Sequence, residues 1–324
     1  MDRFKNILVA ASPGHLEPLT LRSAIELATI NQARLSVFDV FAPLPAWRKT
    51  VNIEGRVVDI EAAMLHDREQ RLRHLVENTR GGPSIEVAVA VGEPFIEVIR
   101  KVLGDGHDLV MVGEPAADAP DVPQLTSGVM HLLRKCPAPV WVMRPSQAPG
   151  CRILALVDPQ PDDPVRDGLN DLVMELAVSL AHRERGELHV GHAWTLAGES
   201  TLRSSPWVEL GEAVVDVMVR DTEATILQQV DALTSRHTTE TECSIHTVAG
   251  DPGTVLPRLA NRLDVDLIVM GTVGRTGLRG LIMGNTAETI LRSVRCSVLA
   301  VKPEGFSTPV RPGSTSVRTG EAPE

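Results

Sequence analysis

The residues best suited to chemistry lie between Gly271 and Thr286, where Gly271, Gly274 and Gly284 punctuate the chain ahead of Asn285 and Thr286. Glycines let backbone N–H groups approach a phosphate closely and converge on one anion. A helix beginning after Gly284 would add its N-terminal N–H groups and dipole to the same anion. Asn285 or Thr286 can cap that helix or bond a phosphate oxygen. The same glycines would serve equally well as turn and cap residues with no ligand. Two familiar phosphate loops are absent: no Gly-Lys-Ser/Thr follows, and no G-x-G-x-x-G follows a first strand. Asp158 is the other candidate. Its carboxylate can accept from a nucleobase amino group or a ribose hydroxyl, or it can cap the next helix.

These residues need strands and helices to bring them together, and the chain supplies such elements twice. The strand-like run 6–10 recurs at 152–158, the run 107–113 at 265–271, and the Cys136 segment 134–143 at 294–301. Three matches in one order indicate a tandem duplication, joined by the breaker-rich link 144–150. In the second half strands are expected at 153–157, 188–194, 244–249, 267–270 and 298–301. Helices are expected around 169–180, 209–236, 255–263 and 286–293. The first half is expected to follow the same order, with its long helix near 59–78. Apolar strands alternating with helices predict α/β domains with open parallel sheets. Ligands on such sheets bind beyond the carboxyl ends of the strands, where strand order reverses. The expected domains are 1–146 and 151–303, with a disordered tail at 304–324.

Composition narrows the partners. A net charge of −10 without a Lys/Arg run, and only 3% aromatic residues, disfavour nucleic acid. No apolar window reaches the ~18 residues of a membrane span. Four scattered cysteines and no visible secretory signal point to the reducing cytoplasm.

The pattern G-x2-G-x9-G from Gly271 to Gly284, followed by Asn285, resembles the universal stress protein family. The strings His131-Leu-Leu-Arg-Lys-Cys-Pro137, Gly271-Thr-Val-Gly-Arg-Thr-Gly277 and Gly284-Asn-Thr-Ala-Glu288 resemble its tandem, E-type branch. The resemblance spans about 4–144 and 151–303. It implies two Rossmann-like domains of the adenine nucleotide alpha hydrolase type, packed as a pseudo-dimer through strands near 140–143 and 298–301. It also implies a nucleotide such as ATP as ligand. Asp158 would meet the adenosine, and Ala193, smaller than the usual valine, would line the base. Gly271, Thr272, Gly274, Arg275, Gly284, Asn285 and Thr286 would hold ribose and phosphates. Asn285 departs from the Ser or Thr of ATP-binding members.

The first half departs further. Ser12 stands where Asp158 stands in the second, and Glu114, Asp118 and Asp121 follow Gly113 without a second glycine at the required spacing. Added carboxylates would repel a phosphate, so one site, in the second half, is expected. Other residues read as structural. Cys136 and Cys296 fit buried small positions, and the charge run Glu61, Asp67, Arg68, Glu69, Arg71 and Arg73 fits a solvated helix face. His189 and His192, three apart on a strand, face opposite sides, which disfavours a shared metal. Ser204, Ser205 and Asp216 have no neighbouring histidine. The expectation is a non-enzymatic sensor or regulatory module of stress adaptation, binding a nucleotide or another small molecule, with a homodimer compatible. The alternatives are an interaction protein or binder of a different ligand, and a slow ATPase.

Overall fold

The computed structural model describes residues 3–11, 16–53, 56–79, 82–114, 125–145, 151–160, 162–204, 211–238, 241–272 and 283–313. They form two compact units, 3–145 with 306–313 and 151–272 with 283–305.

The first unit runs β1 (Asn6–Ala10), α1 (Pro18–Asn31), β2 (Arg34–Phe41), a 3-10 turn (Ala46–Arg48), β3 (Thr50–Ile53), β4 (Arg56–Asp59) and α2 (Ile60–Glu77). It continues β5 (Ile85–Val91), α3 (Pro94–Asp105), β6 (Leu109–Gly113), α4 (Ser127–Lys135) and β7 (Val140–Met143). The second runs β8 (Arg152–Leu156), α5 (Pro164–Glu184), β9 (Glu187–Trp194), α6 (Glu199–Ser204) and α7 (Glu212–Ser235). It ends β10 (Cys243–Ala249), α8 (Pro252–Arg262), β11 (Leu267–Gly271), α9 (Asn285–Ser293) and β12 (Ser297–Val301).

In each unit five strands run parallel and their order repeats, β5-β2-β1-β6-β7 in the first and β10-β9-β8-β11-β12 in the second, with β3 and β4 apart as an antiparallel pair. The duplication read from the sequence is thus a duplication of topology. Prolines mark it too, since Pro18 and Pro164 open α1 and α5, and Pro94 and Pro252 open α3 and α8. A proline at the first helical position loses only an N–H that no turn would use.

The central strands are apolar because helices cover both faces. Ile153, Leu154, Ala155, Ile268, Val269 and Leu299 are completely buried. A leucine or isoleucine so buried contributes ~1.5–3 kcal/mol, and Ile268→Ala would cost about 2–5 kcal/mol through the cavity it leaves. That rigidity fixes the strand ends, which carry the site.

Three features differ from the sequence expectations. The halves do not share one order of elements, because the hairpin β3–β4, with Val51 opposite Val58, stands in the first unit where α6 stands in the second. The β-branched Thr50, Val51, Ile53, Val57 and Val58 favour that extended backbone. The charge run on α2 is not wholly solvated. Arg68 reaches the buried Asp39 of β2 at 2.8 Å, and Glu69, 6% exposed, pairs with Arg73. The tail also begins as part of a packed unit. A Cβ on Gly313 would lie 3.0 Å from Arg100 Nε of α3, while residues 314–324 lie outside the described residues.

Candidate functional site

In the second unit the chain leaves β8 for β9 and β10 on one side, then returns to β11 on the other. The strand order therefore reverses at β8 and β11, and the carboxyl ends of these two strands flank a crevice. Asp158 follows β8, and Thr272 follows β11.

Asp158 is held on three sides. Its N–H donates to Asn170 Oδ1 at 2.9 Å, and its carbonyl accepts from Asn170 Nδ2 at 3.0 Å. Asn170 sits on α5 and is 5% exposed, so its amide is spent on this one peptide. The Asp158 carboxylate, 44% exposed, meets Arg166 Nη1 at 3.3 Å. Asp158 does not cap α5. That role falls to Asp163, whose carboxylate accepts from the N–H groups of Val165 and Arg166 at 3.2 Å each.

The N–H of Gly284 donates to the Thr272 carbonyl at 3.0 Å, tying the two ends of the glycine segment together. Thr272 has no exposed surface. Its N–H donates to the Val301 carbonyl at 3.1 Å, and Lys302 Nζ donates to its hydroxyl. Thr272 therefore anchors the loop and presents no group to the crevice. Gly274 and Arg275 lie outside the described residues.

Gly271 has a packing reason to be glycine, because a Cβ there would stand 2.6 Å from Leu169 Cδ2 of α5. Gly113, its counterpart on β6, is likewise pressed by Glu17 Cβ at 2.6 Å. Gly271 is thus a strand-end glycine set by packing. Gly284 is the N-cap of α9 and its φ of −61° is ordinary. Neither Asn285 nor Thr286 caps the helix; both are exposed in its first turn. Their N–H groups are the ones a first turn leaves without a helical acceptor, and they are available to an anion. Glu288, which would oppose an anion there, is drawn along the helix to Arg292 at 3.0 Å. Ala193 is 8% exposed and pairs with Val248 of β10.

The first unit carries a carboxylate at the position of Thr272. Glu114 follows β6 as Thr272 follows β11, and both donate their N–H to the last strand. Glu114 is 4% exposed and accepts from the Thr126 hydroxyl at 2.6 Å, at the N-cap of α4. Ser12, Asp118 and Asp121 lie outside the described residues.

Other residues fall as follows. His192 Nδ1 donates to the Val157 carbonyl at 2.9 Å, while His189 meets His246 of β10 at 3.2 Å. The His189–His246 pair was beyond sequence reasoning, since 57 residues separate its members. Burial, with His189 and Arg262 nearby, holds the His246 pKa below its usual value. Cys136 is buried, but Cys296 is only half-buried. Ser204 donates to the Ser200 carbonyl, Asp216 pairs with Arg203, and Ser205 lies outside the described residues. A cavity of about 780 Å³ opens at the opposite, amino ends of β9 and β10, beside His182, Arg185, Glu187, His189 and Cys243. It adjoins the C-terminus of α5, whose dipole disfavours an anion.

Residues 3–144 and again 164–302 match the Universal stress protein family. The chain belongs to that family. Universal stress protein E of Escherichia coli (strain K12) is 29% identical over 321 residues, covering 96% of this chain and 98% of its own. Among solved structures, a functionally unknown protein, PA1789, from Pseudomonas aeruginosa PAO1 superposes with a TM-score of 0.66 at 26% identity, covering 94% of both chains. A universal stress protein from Archaeoglobus fulgidus DSM 4304 shares the fold, with a TM-score of 0.56 at 16% identity over 92% of this chain and 98% of its own. Both the tandem architecture and the α/β fold are thus those of universal stress proteins. Among the described residues no helix is long and apolar enough to cross a membrane.

Proposed function

We propose that this universal stress protein binds an adenine nucleotide such as ATP in its second domain, about 151–303, and acts as a cytoplasmic sensor or regulatory module in stress adaptation. The first domain, about 1–146, is a degenerate copy. The observation that carries the reading is the contrast between equivalent places. In the second unit a firmly held acceptor, Asp158, and the open first turn of α9 stand at the ends of β8 and past β11. In the first unit a buried carboxylate, Glu114, is turned onto the start of α4. The nucleotide would place its base or ribose at Asp158, beside Ala193 of β9, and its phosphates at Asn285, Thr286 and the glycine loop with Gly274 and Arg275. Thr272, Gly271 and Gly284 shape that loop.

A sensor fits better than a turnover enzyme. Phosphoryl transfer wants a metal-holding carboxylate and a positioned nucleophile, and the residues 271–286 contain no Asp or Glu. Calorimetric titration with ATP, ADP and AMP tests the proposal. Saturable heat at one site per chain is expected, and no heat at millimolar nucleotide would remove it.

A further inference from the structure

We propose that Arg166 is a positioning residue that presents the Asp158 carboxylate to the exocyclic amino group of a purine base. The proposal rests on the nucleotide reading above and makes it specific.

Arg166 is anchored before any ligand arrives. Its side chain is 22% exposed, its Nη1 lies 3.3 Å from Asp158 Oδ2, and its Nε lies 3.3 Å from Asp163 Oδ2. Asp163 is itself fixed as the cap of α5. With Asn170 gripping the Asp158 peptide on both sides, backbone and carboxylate are each restrained. Oδ2 is taken by Arg166, and Oδ1 accepts no hydrogen bond from the described residues. Oδ1 therefore remains open to a donor at the carboxyl end of β8.

Two consequences follow. A half-exposed carboxylate would otherwise rotate freely, and ordering it on binding costs affinity; an acceptor held in advance avoids that cost. Arg166 also offsets one of two neighbouring negative charges, so a polyphosphate entering the crevice meets weaker repulsion. The first effect is felt by ligands that donate to Oδ1. The second is felt by any anionic ligand.

That difference makes the test. ATP and purine riboside triphosphate, which lacks the exocyclic amino group, are titrated into the full chain and into Arg166→Gln and Arg166→Lys. The parent is expected to prefer ATP. Arg166→Gln should weaken ATP roughly two- to tenfold beyond any loss for the amino-free ligand, so the preference collapses. Arg166→Lys keeps the charge but not the planar fork that spans two carboxylates, and should raise affinity for both ligands over Arg166→Gln by the same factor, leaving the preference collapsed. Urea midpoints of the variants, expected near that of the parent, show that α5 is intact. Equal losses for both ligands, no change, or tighter ATP binding by Arg166→Gln would each overturn the proposal, the last by making Arg166 a competitor. A parent that binds both ligands equally also overturns it, yet leaves nucleotide binding standing. A parent that binds neither removes both.

Discussion

The Thr126 hydroxyl donates to Glu114 at 2.6 Å, where α4 begins in the first unit. A carboxylate thereby lies near the N-terminus of α4, where the helix dipole favours negative charge. The carboxylates after Gly113 were expected to act by repulsion. Glu114 is instead found buried and bonded to Thr126. Glu114→Ala would leave the exposed Thr126 hydroxyl, at the N-cap of α4, without its acceptor, at a cost of about 0.5–1.5 kcal/mol. Urea unfolding should show that loss, while nucleotide stoichiometry stays at one per chain.

The two halves should respond differently at Asp158 and Ser12. Asp158→Ala removes an ionised acceptor, and a hydrogen bond to a charged group contributes roughly 1.5–3 kcal/mol. Nucleotide affinity should fall by about one to two decades. Ser12→Ala should leave it unchanged. Titration with a fluorescent nucleotide reads both, and equal losses would restore the first half as a ligand domain.

Gly271 should prove to be a packing glycine. Gly271→Ala puts a methyl 2.6 Å from Leu169 Cδ2. Overpacking of this kind costs about 1–3 kcal/mol. Combining it with Leu169→Ala should recover part of the stability, because the smaller side chain makes room for the methyl. Denaturant midpoints of the two single variants and the double variant decide it. Strict additivity of the losses would show that the two side chains do not meet.

His107 should make stability sensitive to mild acid. It is 5% exposed, and burial, then the Lys101 ammonium, hold its pKa below the ordinary 6.5. The folded state therefore keeps the neutral ring while the unfolded chain binds a proton near pH 6.5. Stability contributed by the neutral ring is complete above 6.5 and declines as pH falls from there to the depressed folded pKa, where the loss levels off. Urea midpoints measured between pH 8 and pH 5 should fall, and His107→Gln should fall less steeply across that window. Parallel profiles for the two proteins would exclude His107 as the source.

The sequence by itself determined the repeat, the alternation of strands and helices, the parallel sheets and the family. These are legible because strands covered on both faces must be apolar throughout, as in 153–156 and 267–270, and because capping and proline signals act within a few residues. It also named both ends of the crevice, Asp158 and the glycine segment. Only the tertiary structure decided what those residues do. Asp158 is gripped by Asn170 and Arg166 of the following helix, Gly271 is dictated by Leu169, and Thr272 is consumed by Val301 and Lys302. The charge run on α2 looked solvated until Arg68 was seen to reach Asp39, 29 residues away. Spacing along a chain reports which face a residue occupies, but not which side chain the fold sets opposite it. Hydrogen bonds and steric contacts act over a few ångströms, so the partners that assign these roles exist only once the elements are packed.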